Sequence, residues 1–399
     1  MKKYLFLLSF IAMVAGCKKQ ETALPESTNQ LKGTATINAG TVQQYIRGFG
    51  GASIRGWIPD LTAAQSTKAF SPTNGIGLSV LRVRISPNSG DWAAEKPTID
   101  AAKSNGAMVI ASAWTAPASM KDNNNLIGGK LKSSSYAAYA THLKNFNTTV
   151  GGVSAISITN EPDWVTDYES MNNTASEIGA FISQQGGNIG TKVMGPESLN
   201  MNQSFTTTCV NAAGANLSYI CGHIYGSSPY VLNLGKEVWM TEHFTNTNSA
   251  NGWPDALGVG KEIHDCMNAG WNMYVWWYIR RSYGFLDESG NVTKRGYVMA
   301  HYAKFVRPGY NKISCTANPT PGVYVTAYKN SSNKLVVVIV NQNASVTYQP
   351  FSYSGISPTG FTRYKTTSSS NLVQDNFTVS GGSFGINLPA QSMTTLVSQ

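Results

Sequence analysis

Two glutamates have sequence surroundings that suit acid–base and nucleophilic chemistry on a sugar. Glu161 lies in the tripeptide Asn160-Glu161-Pro162 directly after a short apolar run, and Glu242 follows a second apolar run. Hydrolysis of a glycosidic bond with retention needs such a pair. One carboxylic acid protonates the leaving oxygen, and a carboxylate about 5–5.5 Å away attacks the anomeric carbon. We therefore predict a retaining glycoside hydrolase with Glu161 as the acid/base and Glu242 as the nucleophile.

Side chains close to these glutamates in sequence are candidates for holding the substrate. Asn160 is predicted to hydrogen-bond a sugar 2-hydroxyl, a contact that strengthens in the transition state. Tyr225 ends another apolar run and is a candidate to orient the nucleophile, although packing would explain it equally well. Aromatic rings suit sugar faces. The main stacking candidate is Trp114, and Trp57 and Trp164 are weaker ones.

Regular alternation of strands and helices would place both glutamates at the same end of a parallel barrel. Helix-like stretches at residues 135–146, 173–185 and 255–267 separate short apolar runs. The apolar runs are residues 46–52, 78–85, 107–113, 155–159, 192–195, 217–225, 237–240 and 273–279. Strand and helix alternating eight times is the pattern of a (β/α)8 TIM barrel, in which catalytic residues lie at the C-terminal strand ends. The two glutamates follow the fourth and seventh runs, so we expect them to face each other across one mouth.

The rest of the chain predicts a side domain and a tether around this barrel. Residues 308–399 are rich in Thr, Ser and Val with strand-like alternation, which predicts a C-terminal β-sandwich that residues 34–45 join as a strand. The catalytic barrel is assigned to residues 46–307, and residues 17–33 to a flexible tether. An open doubly wound sheet is the alternative, but no convincing glycine-rich phosphate loop follows the first strand.

The N-terminus resembles a bacterial lipoprotein signal. A short basic start, an apolar stretch and the sequence Val14-Ala15-Gly16-Cys17 predict a signal peptide at residues 1–16 and lipidation of Cys17. The alternative is an ordinary secretory signal cleaved elsewhere. We therefore expect an exported lipoprotein that is anchored in the outer membrane and faces the periplasm or the cell surface. The lipid would be its only membrane anchor.

Composition excludes several other classes of protein. Only 13% of the residues are charged, and the formal charge of +9 is not concentrated in a Lys/Arg run, so nucleic acid is not an expected partner. The cysteine spacings match no metal site, and we expect no metal, no cofactor and a monomer. Export would permit a disulfide, and Cys209 and Cys221 are close enough in sequence to pair across a short loop.

Several motifs resemble glycoside hydrolase family 30, within the clan of retaining (β/α)8 glycosidases. The shorter motifs are residues 48–52 (GFGGA), 158–163 (ITNEPD) and 240–243 (MTEH). The most specific is residues 275–284 (VWWYIRRSYG), continued by 294–297 (KRGY) and 305–309 (FVRPG), which resembles the bacterial glucuronoxylanase subfamily 8. The resemblance runs from about residue 35 to the C-terminus. It implies a barrel with a side β-sandwich and endo-cleavage of β-1,4-xylan that carries 4-O-methylglucuronic acid branches.

The resemblance also implies which residues contact the uronate. They are Arg281, Trp277, Tyr283 and, five positions after the nucleophile, Thr247. An arginine suits this task because its planar fork matches a carboxylate in bidentate fashion. Phe244 stands where the family often has Tyr, which would remove one hydroxyl contact. The alternative is that the arginine pair is structural and binds carboxylates at the barrel rim.

Three functions remain open at this point. The prediction is a retaining endo-acting glucuronoxylanase with a polysaccharide substrate. The nearest alternative is a uronate-independent xylanase or another β-glycanase of the same family. An alternative from a different class is a non-catalytic glycan-binding lipoprotein, which would be expected to lack one of the two carboxylates.

Overall fold

Strands and helices alternate from residue 48 to residue 303 in the computed structural model, which describes residues 33–245 and 249–399. The first strands are β1 (Ala35–Tyr45), β2 (Gly48–Ala52), β3 (Val80–Ile85), β4 (Met108–Ala113), β5 (Ala155–Ser157), β6 (Lys192–Ser198), β7 (Tyr219–His223), β8 (Glu237–Glu242) and β9 (Met273–Tyr278). The helices are α1 (Ala63–Phe70), α2 (Lys96–Ser104), α3 (Tyr136–Thr149), α4 (Ala175–Gln185), α5 (Gln203–Ala213), α6 (Asp255–Asn268) and α7 (Lys294–Ala303).

A closed parallel barrel forms the centre of the described region. The strands β2 to β9 pair in chain order, and β9 pairs back with β2. Fully buried apolar side chains fill the interior, and they include Val80, Ile110, Met194, Trp239 and Val275. The predicted TIM barrel is therefore confirmed, and the open doubly wound sheet is excluded.

One expected helix is absent from the barrel. Strand β7 connects to β8 through residues 224–236, and this described segment contains no helix. Its sequence, IYGSSPYVLNLGK, has Pro229 in the middle and several turn-forming residues, which disfavour a continuous helix. Strand and helix thus alternate seven times within the described residues.

A curled antiparallel sheet forms the side β-sandwich. Its later strands are β10 (Asn311–Cys315), β11 (Val323–Lys329), β12 (Leu335–Asn341), β13 (Thr347–Ser354), β14 (Gly360–Thr366), β15 (Val373–Thr378), β16 (Ser383–Leu388) and β17 (Ser392–Ser398). In the described residues the strand order is β15-β14-β17-β12-β11-β10-β1-β13-β16, with β1 antiparallel to β10 and parallel to β13. The two edges approach each other, since the Phe377 and Phe384 ring centroids are 5.7 Å apart.

The sandwich and the barrel share buried side chains. Strand β12 is buried along its whole length: Val336 and Val338 belong to the barrel-side core, and Val337 and Ile339 to the sandwich core. Burial of both faces explains why this strand is an unbroken apolar run. On the barrel side, the buried His301 of α7 hydrogen-bonds two threonine hydroxyls of the sandwich at 2.8 Å.

Two further expectations concern cysteines and membrane spans. Cys209 and Cys221 are both buried free thiols, so the disulfide considered from their spacing is not formed. Within the two described ranges, none of the helices combines the length and apolar character needed to cross a membrane. Cys17 and the predicted signal peptide lie outside the described residues.

Candidate active site

The two glutamates meet at the C-terminal mouth of the barrel. Glu161 lies four residues after β5, Glu242 is the last residue of β8, and both side chains are buried. A carboxylate oxygen of each glutamate and a ring nitrogen of His223 all lie within 4.8 Å of one another. This separation is close to the value of about 5–5.5 Å that suits a retaining pair of carboxyl groups.

The backbone around Glu161 is held in an uncommon conformation. Glu161 has a φ of 44° and Glu197, at the end of β6, a φ of 58°, both in the left-handed region. The Glu161 N–H donates to the Glu197 carbonyl at 2.9 Å, and Thr159 donates to the Pro196 carbonyl at 3.0 Å. A non-glycine residue in this region costs roughly 1–3 kcal/mol, and such costs concentrate at functional sites. These contacts between neighbouring strand ends fix the direction of the Glu161 side chain.

Two donors hold the carboxylate of Glu242. Arg82 of β3 donates to Oε2 at 2.5 Å, and Tyr225 donates through its hydroxyl to Oε1 at 2.6 Å. Burial and the adjacent Glu242 raise the pKa of Tyr225 well above its usual range, so its hydroxyl remains a donor. Arg82 also donates to Asn160 Oδ1 at 2.7 Å, which leaves the amide nitrogen of Asn160 to donate elsewhere.

Glu161 is held by different partners. His223 Nδ1 lies 2.7 Å from Oε1, and the Tyr168 hydroxyl donates to Oε2 at 3.3 Å. Burial and Glu161 raise the pKa of Tyr168 to about 12. His223 is fully buried, and although burial lowers its pKa, the carboxylates of Glu242, Glu161 and Glu197 raise it to about 10. The imidazole is therefore protonated at neutral pH.

A third carboxylate lies beneath the pair. Glu197 is fully buried, and Arg82 Nη2 approaches its carboxylate at 3.3 Å. Its Oε1 lies 4.0 Å from His223 Nε2. Burial raises the pKa of Glu197, but Arg82 and His223 lower it more strongly, to about 2. Arg82 is completely buried, which lowers its pKa, but the carboxylates of Glu197 and Glu242 raise the pKa above its usual value and keep the guanidinium charged.

The formal charges of this buried cluster do not cancel. Among the described residues of this cluster, three carboxylates (Glu161, Glu197 and Glu242) share two buried cations, Arg82 and His223. Protonation of a single carboxylate makes the cluster neutral.

The same cluster is a poor metal site. Glu161, His223 and Glu242 form the one group of closely spaced potential ligands in the described part of the chain. His223 Nδ1 already lies 2.7 Å from Glu161 Oε1, so this ring nitrogen has a partner within the cluster. Arg82 already contacts Glu242 and would place a positive charge beside any cation.

Aromatic rings line a cleft of about 910 Å³ above the glutamates. Trp114, Trp57 and Trp277 pack together, with ring centroids 5.0 to 6.2 Å apart. Trp114 follows β4 directly and is only 3% exposed, and the Arg82 guanidinium lies 4.7 Å from its ring centroid. Trp164 lies elsewhere in the cleft and is 48% exposed.

An additional ion pair stiffens the Trp57 side of the cleft. Arg84 of β3 contacts both carboxylate oxygens of Glu169, and its guanidinium lies 5.0 Å from the Trp57 ring centroid. Glu169 itself lines the cleft. Both ends of this pair are mostly buried, so the contact fixes Trp57 relative to the loop that carries Glu169.

The residues assigned to uronate recognition occupy different positions. Trp277 lines the cleft, whereas Arg281 and Tyr283 are not among its lining residues. The Arg281 side chain is 43% exposed and has a long contact of 3.4 Å to Glu288. Phe244 stacks on Tyr283 with ring centroids 4.8 Å apart. Thr247 lies outside the described residues.

The neighbouring Arg280 has a structural role. Its side chain is buried and donates to the Pro59 carbonyl at 2.6 Å. Arg280 therefore contacts a backbone carbonyl and not a carboxylate, whereas the contact of Arg281 with Glu288 is of the kind that the structural alternative expects.

Three important residues were missed from the sequence. Arg82, Glu197 and His223 contact the two glutamates but received no role. A usable signal was present, because each is a charged or titratable side chain inside or at the end of an apolar barrel strand. Such residues are rarely buried without partners.

Comparisons with known proteins point to one family. The model of the glycosyl hydrolase family 30 beta sandwich domain matches residues 311–396, and a prokaryotic membrane lipoprotein lipid attachment site matches residues 1–17. Glucuronoxylanase XynC of Bacillus subtilis (strain 168) is 42% identical over 386 residues, which cover 91% of each chain.

Solved structures give the same picture. The glycoside hydrolase family 30 subfamily 8 xylanase Xyn30A from Clostridium acetobutylicum superposes with a TM-score of 0.86 at 35% identity, covering 92% of this chain and 99% of that one. A GH30 endoxylanase from Clostridium papyrosolvens C71 has a TM-score of 0.83 at 32% identity, with coverage of 92% and 99%.

Proposed function

The chain belongs to glycoside hydrolase family 30, subfamily 8, and from this membership we propose that it is a retaining endo-xylanase acting on glucuronoxylan. The cut in β-1,4-xylan is set by 4-O-methylglucuronic acid branches. The observation that carries the proposal is the buried pair Glu161 and Glu242, held within 4.8 Å by separate donors at the mouth of a barrel.

We propose the following roles for the pair. Glu242 attacks the anomeric carbon and forms an ester bond, the glycosidic bond breaks, and Glu161 delivers its proton to the leaving oxygen. Glu161 then removes a proton from water, whose oxygen attacks the same carbon and releases the Glu242 carboxylate. Two displacements at one carbon retain the β configuration.

The surrounding residues assist each step. Arg82 and Tyr225 hold the Glu242 carboxylate in place for the attack. Asn160 accepts from Arg82 and so directs its amide N–H groups away from Arg82, toward the 2-hydroxyl of the bound sugar. Trp114, Trp57 and Trp277 form the aromatic wall on the Arg82 side of the cleft.

The test of this function is product analysis on matched polymers. We expect products from glucuronoxylan whose lengths follow the branch positions, with little cleavage of unsubstituted xylan. Proton NMR at early times should show the β anomer first. Equal cleavage of both polymers would favour a uronate-independent β-glycanase, and an α anomer as the first product would exclude retention. Binding without cleavage would favour the glycan-binding alternative.

Arg281 is proposed to read the branch carboxylate together with Trp277, Tyr283 and Thr247. The Arg281 side chain is exposed at the rim, and its contact with Glu288 is long enough to be exchanged for a ligand carboxylate. A charge-assisted hydrogen bond contributes roughly 1.5–3 kcal/mol, which corresponds to about 10- to 150-fold in catalytic efficiency. We expect Arg281→Ala to lower kcat/KM on glucuronoxylan by that factor.

The control for Arg281 is the substrate itself after reduction of its uronate carboxyl groups to alcohols. On reduced polymer, wild type and Arg281→Ala should cut at similar low rates. Arg281→Lys should restore activity only in part, because an ammonium lacks the planar fork. If wild type cuts reduced and native polymer equally fast, Arg281 does not recognise the uronate, although the catalytic pair could still hold.

Residues 1–17 match a lipid attachment site, which supports an exported, lipid-anchored protein. We propose that Cys17 carries the lipid and that the anchor is in the outer membrane. Cys17→Ser should move the protein from the membrane fraction to the soluble fraction, as measured by fractionation and immunoblot. Equal partitioning of variant and wild type would exclude lipid anchoring at this position.

A further inference from the structure

The position of the acid indicates which side of the cleft holds the part of the polymer that leaves after the cut. A general acid must approach the oxygen that departs, so the leaving part of the polymer lies on the Glu161 side of the cleft. The glycone part lies over Glu242, Arg82 and the Trp114 ring that packs on Arg82. The loop that follows Glu161, residues 162–172, therefore forms the floor or wall for the leaving part.

Trp164 is the exposed aromatic residue of this loop beside the acid. The backbone N–H of Trp164 donates to the backbone carbonyl of Glu161 at 3.0 Å, which closes a tight turn. This turn places the indole ring next to the acid. The side chain lines the cleft and is 48% exposed. Among the described residues, no aromatic ring packs on Trp164, whereas the rings of Trp57, Trp114 and Trp277 pack on one another.

The loop that presents Trp164 is held by hydrogen bonds from several sides. Asn172 donates to the Trp164 carbonyl at 2.7 Å and to the Pro162 carbonyl at 3.2 Å. Asp163 accepts from the Leu199 N–H at 3.0 Å, and Ser170 donates to the Leu126 carbonyl at 3.0 Å. The backbone that carries this exposed indole is therefore held in place at the edge of the cleft.

We propose that Trp164 is the stacking platform for the xylose units on the leaving side of the cut, with Tyr168 beside it at the acid. The proposal rests on the proposed function. An indole offers a flat apolar face that matches the C–H face of a xylopyranose ring. Tyr168, whose hydroxyl donates to Glu161 Oε2, marks the inner end of this surface. The platform would also receive an acceptor sugar when the glycosyl-enzyme transfers to a carbohydrate instead of water.

The test compares a substrate that has leaving-side sugars with one that has none. Glucuronoxylan is the first, and a branched xylo-oligosaccharyl β-fluoride, in which fluoride replaces the leaving chain, is the second. Burial of half an indole face corresponds to about 5- to 30-fold in binding. We expect Trp164→Ala to lower kcat/KM on glucuronoxylan by that factor and to leave the rate on the fluoride unchanged.

Three comparisons keep this interpretation open to contradiction. Trp164→Phe should regain part of the loss because it keeps a flat ring. Val165→Ala is the matched control, since Val165 is the next residue and is 82% exposed outside the cleft lining; both rates should match wild type. Added xylobiose should give less transfer product with Trp164→Ala than with wild type.

The outcomes separate this proposal from the proposed function. Equal losses on both substrates would mean that Trp164 supports the glycone side or the fold of the site and not the leaving sugar, which would overturn the platform. A shift in the pH dependence of kcat/KM on glucuronoxylan would mean that Trp164 acts through Glu161, which would overturn it too. Wild-type rates on both would overturn it as well. A wild-type enzyme that turns over the fluoride but not glucuronoxylan would instead overturn the proposed substrate.

Discussion

Glu242→Gln should remove turnover of glucuronoxylan while leaving the fold in place. The amide cannot form the ester bond at the anomeric carbon, but it has nearly the same shape as the carboxylate and can still accept from Arg82 or Tyr225. Loss of a catalytic nucleophile lowers kcat by on the order of 10⁴-fold or more. The measurement is the initial rate of reducing-end release, together with circular dichroism to confirm folding.

A matched control lies on the same strand. Glu237 begins β8 at the opposite mouth of the barrel, where it pairs with the partly exposed Arg47. Glu237→Gln should keep the wild-type rate. In addition, Glu242→Ala with added azide should yield the α-glycosyl azide, since azide takes the place of the carboxylate on that face. Glu242→Gln with a wild-type rate would remove Glu242 as the nucleophile.

Glu197→Gln should have the largest effect on stability. The carboxylate is fully buried between Arg82 and His223, and its loss removes the one carboxylate of the described cluster that has no exposed surface and lies near both cations. Removing one partner of a buried ion pair costs about 3–5 kcal/mol in the free energy of unfolding. Urea unfolding at pH 5.5 should show this decrease. Glu237→Gln, which breaks a partly exposed pair, should cost less than about 1 kcal/mol.

The effect of Glu197→Gln should depend on pH in a defined way. Glu197 has a folded-state pKa lowered from 4.5 to about 2, so its contribution is present above pH 4.5 and is lost as pH falls toward 2. His223 has a folded-state pKa raised from 6.5 to about 10, so its contribution is present below pH 6.5 and is lost as pH rises toward 10. The difference between wild type and variant should therefore be largest between pH 4.5 and 6.5. A difference that stays constant from pH 3 to 9 would contradict this account.

The catalytic pair could be proposed from sequence for a simple geometric reason. In a parallel barrel all strands end at the same mouth, so two glutamates at the ends of the fourth and seventh apolar runs must face one cavity. The apolar runs themselves were readable because barrel strands are buried on both faces. The connection without a helix between the sixth and seventh barrel strands was not foreseen, because the apolar runs indicate where the strands are but not what connects them.

The partners that hold the pair depended on the tertiary structure. Arg82 contacts Glu242 across 160 positions of sequence, and Glu197 and His223 come from the fifth and sixth barrel strands. In sequence, either arginine of the strand VLRVRI could equally face outward and bind a surface carboxylate. Closure of the barrel decides the matter, because it buries Arg82 completely beside Glu197, Glu242, Asn160 and Ser112, which accept its hydrogen bonds. The sequence thus determined which residues could do the chemistry, and the closed barrel decided which buried side chains hold them in place.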